Sequence, residues 1–151
     1  MTTMSSSLAD ALVPTQNRSP AMPDRKAHNP DWPWAEKFRI SQAVQVGDTI
    51  HVSGQGPLDP EGNIVGDDMA AQSRQVFANI RAVLAEAGAT MDDVVKITCF
   101  ITDTSRYAEY SAARAEAFPN NVPASSTVTV ADLVLPGMLV EVEALAVLGS
   151  A

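Results

Sequence analysis

This chain of 151 residues has one cysteine, two histidines and aromatic side chains at only 5% of its positions. A single cysteine allows no intrachain disulfide, and Cys99 sits inside an apolar run, so a reducing, cytoplasmic setting and an inert buried thiol are expected. His28 and His51 with that one thiol make no metal-ligand cluster, and neither a metal nor a cofactor is expected. No histidine stands at triad-like spacing from a serine, which sets serine nucleophilic catalysis aside; His51 reads as a sheet histidine. The formal charge is −8 and no run of Lys or Arg occurs, so a phosphate-tracking surface, and with it a nucleic-acid partner, is not expected. The first 26 residues have neither a basic start nor a sustained apolar segment, and no membrane association is expected.

What the chain does have is enough apolar material, 46% of its residues, for one domain with a real core. Composition divides it near residue 36. Residues 1–36 hold five prolines from Pro14 to Pro33 and read as a largely flexible extension, although "NPDWPWAEKF" carries Trp32 and Trp34 and is expected to dock. Residues 37–151 read as the folded domain. "FRISQAVQVGDTIHVSGQ" gives two strands joined at Gly47 and Asp48. "DDMAAQSRQVFANIRAVLAEAG" sets Met69, Val76, Phe77, Ile80, Val83, Leu84 and Ala87 on one helical face, between an Asp67 or Asp68 N-cap and a Gly88 stop. "DVVKITCFIT" reads as a strand, "TSRYAEYSAARAEAF" as a helix ended by Pro119, and two more strands follow near 125–132 and 138–148. "GQGP" has the glycines of a phosphate loop but no lysine and no following helix, so it reads as a tight turn.

The order is ββαβαββ, an α+β fold. Strand alternation puts Ile50, Val52, Val95, Ile97, Cys99, Ile101, Val128, Val130, Val140, Val142 and Ala144 on one apolar face for two helices to cover. The other face is expected to hold His51, Lys96, Thr98, Ser125, Thr127, Thr129, Glu141 and Glu143 among Phe100, Leu139 and Leu145. Such a face is too apolar for open water, and coverage by further copies of the chain is expected.

The stretches "SQAVQVGDTIHVSGQGPLDPEGNIVG", "AQSRQVFANIRAVLAEAGATMDDVVKITCFITD" and "PASSTVTVADLVLPGMLVEVEALAVL" resemble the Rid family, also called YjgF, the reactive-intermediate deaminases. The resemblance spans about residues 37–148. It implies a chorismate-mutase-like fold, a mixed sheet with two helices on one face, and a homotrimer with clefts between subunits. It also implies cofactor-free hydrolysis of small imines or enamines, the small-molecule substrate being the only partner besides further copies of the chain.

The resemblance also carries departures. Deaminating members read Pro-Ala-Arg-Ser where this chain has "PASS", so Ser125 stands in place of an arginine that clamps the substrate carboxylate. Ile40 replaces a tyrosine, Ser111 an asparagine and Thr127 a cysteine, which places the chain beside the arginine-less Rid subgroups. Gly54 in "SGQ" and Glu143 in "VEVEALAV" are retained. Glu143 is the catalytic candidate, a cleft acid or base; its other reading is an interface residue paired with Lys96. Ser125 and Thr127 read equally as neutral ligand donors or as strand fillers. Arg39, beside Ile40, could bring a cation to the cleft rim or stay solvated at a strand edge. A hydrolase or deaminase of a neutral or bulkier imine, enamine or related compound is therefore expected, rather than of a typical 2-imino acid. The other reading is a non-catalytic trimeric metabolite-binding protein. An RNA-cleaving role is opposed by the acidic balance.

Overall fold

A computed structural model describes residues 21–151. The expectation of a flexible segment over residues 1–20 lies outside the described residues. The strands are β1 (Arg25–His28), β2 (Ala43–Val46), β3 (Thr49–Gln55), β4 (Val94–Ile101), β5 (Ala124–Thr129) and β6 (Val140–Val147). The helices are α1 (Met69–Glu86), between β3 and β4, and α2 (Tyr107–Ala117), between β4 and β5. One sheet holds all six strands in the order β1-β2-β3-β6-β4-β5. Only β4 and β5 run parallel, with α2 as their crossover; the other pairs are antiparallel. This is the mixed sheet with two helices that the resemblance implies.

Local chemistry explains the elements. Gly47, at φ +60°, takes the first central place of the two-residue turn between β2 and β3, where the hairpin was expected. Asp68 caps α1, its side chain accepting from the Ala71 amide at 2.7 Å. The helix ends where Gly88 turns to φ +72° and the Ala89 amide reaches back to the Leu84 carbonyl at 3.0 Å. Its buried face carries Met69, Val76, Phe77, Ile80, Val83 and Leu84, and these pack on Ile50, Val52, Ile97, Cys99, Val140 and Val142 of the sheet. Phe77, Tyr110 and Phe118 knit the two helices together through ring contacts of 5.6–6.0 Å.

Two expectations are corrected. Regular structure begins before residue 36, because Arg25–His28 pairs with Val46–Ala43 as an added edge strand, and His28 Nε2 sits 2.8 Å from the Gln45 side-chain oxygen. The neighbouring prolines hid it: Pro23 and Pro30 flank this four-residue strand without interrupting it. The second correction concerns β5. In its parallel register Ser125 lies opposite Ile97, Thr127 opposite Cys99 and Thr129 opposite Ile101, so these hydroxyls share the helix-covered side of the sheet. Val128 instead lies on the open side with Phe100 and is exposed. Alternation within β5 gives two faces but not their assignment, which the pairing with β4 decides. Val95 also leaves its expected face, since the register shift between Val94 and Lys96 turns it to solvent.

The open side of the sheet carries His51, Lys96, Thr98, Phe100, Val128, Glu141, Glu143 and Leu145, none of them covered by either helix. Among the described residues no helix is long and apolar enough to cross a membrane.

Candidate functional site

The site residues named by the sequence fall into two groups in one chain. The first is built on a break in β3. Val52 pairs with Ala144 and Gln55 with Val142, so the register shifts across Ser53 and Gly54. At this bulge the Glu141 side chain lies across Gly54, in the space a Cβ there would occupy. The missing Cβ at 54, rather than any special backbone angle, leaves the carboxylate this place; a larger residue there would displace it.

A cavity of about 210 Å³ opens here, floored by Gly54, Gly56 and Glu141. Trp34, Phe38 and Ile40 form one wall; Val134, Leu135 and Met138, from the loop before β6, form the other. The first wall is placed by a short 3-10 turn, Ala35–Phe38, which Arg39 terminates in the left-handed region at φ +51°. That turn delivers Ile40 to the rim, where it is exposed. Trp34 stacks on Trp32 at 5.9 Å and meets Phe38 edge-on at 5.7 Å. Behind the floor, the buried Gln55 amide donates to the Gln42 side-chain oxygen at 2.9 Å and ties β3 to the residue just before β2. Arg39 turns away and lines a separate hollow with Asn29, Asp31, Trp32 and Glu36.

Glu141 is half-buried, and among the described residues it makes no hydrogen bond or ion pair. Burial, and after it the charge of Glu143, hold its carboxyl above the usual carboxylate range. A carboxylate with a raised pKa in an apolar cleft is a competent proton acceptor. Glu143 is placed differently: it is exposed and lines a shallow depression with His51, Lys96, Thr98 and Leu145. The ion pair with Lys96 does not form within the chain; the Lys96 ammonium donates to Ser126 Oγ at 2.9 Å. The structure thus brings Glu141, not Glu143, together with Gly54 and Ile40.

The second group lies at the β5 edge, with β6 and β4 between it and β3. Ser125 and Ser111 meet there through Arg114, whose Nη1 stands 3.3 Å from Ser125 Oγ and whose Nη2 stands 3.2 Å from Ser111 Oγ. Thr127 follows along the same strand face and is half-buried. Sequence reasoning passed over Arg114 as a site residue. Its signal was the helical spacing of Tyr107, Tyr110 and Arg114, which marks one face of α2 but not what that face meets. Among the described residues no three His, Cys, Asp or Glu side chains gather as a metal site would require.

Residues 35–148 match the family described as Endoribonuclease L-PSP. A RutC family protein of Pyrococcus abyssi is 43% identical over 107 residues, covering 70% of this chain and 84% of that protein. A 2-iminobutanoate/2-iminopropanoate deaminase of Salmonella typhimurium is 37% identical over 109 residues, covering 70% and 84%. Among solved structures, the YjgF gene product from E. coli superimposes with a TM-score of 0.75 at 34% identity, covering 81% of this chain and 98% of that one.

Proposed function

Because the chain belongs to the Endoribonuclease L-PSP family, which takes in the YjgF, RutC and Rid proteins, and shares its chorismate-mutase-like fold, we propose that it is a cofactor-free hydrolase or deaminase of a small imine, enamine or related compound. The observation that carries this reading is the Glu141 carboxylate, held over Gly54 in a largely apolar cavity with its pKa raised by burial. A relative named for 2-iminobutanoate and 2-iminopropanoate deamination supports the reaction type.

The chemistry needs one proton acceptor and one water. Glu141 takes a proton from water as the water oxygen bonds to the C=N carbon, and the C=N π electrons become a lone pair on nitrogen, which is protonated in turn. The resulting carbinolamine loses ammonia as its hydroxyl proton departs and the C=O bond forms, so that C=N and water become C=O and NH3. An enamine enters the same route after protonation at its β-carbon. The apolar walls exclude bulk water and raise the basicity of the carboxylate over that of an exposed one. In this reading the cleft lies between copies of the chain, with the Glu141 cavity of one copy facing the Ser111, Ser125 and Thr127 edge of the next. The separation of the two groups within a single chain and the uncovered side of the sheet support that arrangement.

The test is ammonia release from imines generated in situ by an amine or amino-acid oxidase. Glu141→Gln is expected to abolish the protein-dependent rate while Glu143→Gln retains it. The reverse pattern would return the role to Glu143. No acceleration of any imine or enamine by the wild type would leave ligand binding as the activity of the cleft.

A further inference from the structure

Among the described residues, Arg114 is a guanidinium without an acid. The two carboxylates on its own helix are taken by other arginines: Glu109 by Arg106 and Glu116 by Arg74. Those are the ion pairs formed among the described residues. What surrounds Arg114 is neutral. Nη1 donates to Ser125 Oγ at 3.3 Å and to the Tyr107 hydroxyl at 3.4 Å, and Nη2 donates to Ser111 Oγ at 3.2 Å. The tyrosine rings steady it, with the guanidinium carbon 5.5 Å from the centroid of Tyr110 and 6.0 Å from that of Tyr107. In a chain with 18 acidic residues and 10 basic ones, a cation positioned by three hydroxyls and two rings rather than by a carboxylate is a receptor in waiting.

We propose that Arg114, with the hydroxyls of Ser111, Ser125 and Tyr107, is the binding site for the carboxylate of a small molecule. Each hydroxyl oxygen accepts from the guanidinium and so keeps its own O–H hydrogen to donate. The planar fork of Arg114 and these donors match the two oxygens of a carboxylate. A single positive charge with neutral helpers suits a monoanion better than a doubly charged phosphate. The site is open, because Ala124, Ser125 and Ser126 are exposed along the β5 edge. This deepens the reading of the protein as an imine or enamine hydrolase, on which its catalytic meaning rests. The serine at 125 does not leave the edge without a cation, since α2 brings one to it, and the substrate class becomes carboxylate-bearing imines or enamines rather than neutral ones.

The experiment is equilibrium binding of 2-oxobutanoate and of its neutral isostere 2-oxobutanamide to the full chain, by titration calorimetry or NMR, with the mass in solution recorded alongside. The wild type is expected to bind the carboxylate and to prefer it over the amide at least tenfold. Arg114→Gln should erase that preference, and Arg114→Lys, which keeps the charge without the fork, should retain part of it. Glu141→Gln should keep the preference for the carboxylate over the amide, so loss of hydrolysis and loss of anion recognition separate. Equal binding of carboxylate and amide by the wild type, or an undiminished preference in both folded Arg114 variants, would overturn the proposal. So would an Arg114→Gln protein that changes its mass in solution but not its preference, because Arg114 would then serve an acid of a neighbouring copy.

Discussion

Glu141 occupies the space above Gly54: a Cβ on residue 54 would stand 2.9 Å from Glu141 Cδ and overlap Oε1. The glycine and the acid are a matched pair. Gly54→Ala should therefore push the carboxylate out of the cavity and lower turnover as strongly as removal of the acid, while circular dichroism stays that of the wild type.

Removal of the acid itself separates function from stability. Glu141→Gln should lower hydrolysis by about 100- to 10,000-fold, the range for loss of a positioned proton acceptor. It should also raise the thermal midpoint at neutral pH. A carboxyl whose folded pKa is raised binds its proton more tightly folded than unfolded. Its contribution is full below the ordinary value of 4.5 and lost as pH rises through the folded value, so the neutral glutamine relieves a penalty present only at higher pH. Thermal melts of the two proteins should converge below about pH 4.

How much of this was legible in the chain depends on the kind of contact. Helix α1, its Asp68 cap and its Gly88 stop follow from periodicity and local chemistry, because each signal lies within a few residues of its effect. The choice between Glu141 and Glu143 does not. They share one face of β6, two residues apart, and only the shifted pairing with β3 decides which lies over Gly54. The proximity of Arg114 to Ser125 is equally tertiary, set by how α2 crosses to the parallel strand. β1 escaped notice because four residues, Arg25 to His28, give alternation too short to read beside two prolines.

Asp93 holds the C-terminal turn to the sheet. Its carboxylate accepts amide hydrogens from Thr90 at 2.9 Å, Gly149 at 3.1 Å and Ala151 at 3.2 Å, and these bonds, that of Thr90 first, hold its pKa below the ordinary 3.8. Stability gained from a lowered pKa is present above the unfolded value and lost as pH falls through the folded one. Asp93→Ala should cost about 1–3 kcal/mol in urea denaturation at pH 7, from the loss of hydrogen bonds to a charged acceptor, with the difference narrowing in acid.

Cys99 is buried, and that burial pushes its thiol up to about 12. Iodoacetamide at pH 8 should leave the native protein unmodified and alkylate it once urea unfolds it. Rapid labelling of the native chain would show that the core opens on the timescale of the reaction.

The uncovered side of the sheet predicts assembly. Light scattering should give about 48 kDa, three times the 16.0 kDa chain. Leu145→Glu, which places a charge on that side beside His51 and Lys96, should reduce the mass toward that of one chain. A wild type that stays monomeric at micromolar concentration would move the cleft into a single chain.

The chain has two tryptophans, stacked with their ring centroids 5.9 Å apart; Trp34 stands in the wall of the Glu141 cavity, and Trp32 lines the neighbouring hollow. Indole emission from this protein therefore comes from one address. A compound that enters the cavity displaces solvent beside the same ring that emits, so intensity and wavelength should follow occupancy in an unlabelled sample. The molecule carries its own optical gauge, and ligands that are bound but never turned over can be found with a fluorimeter.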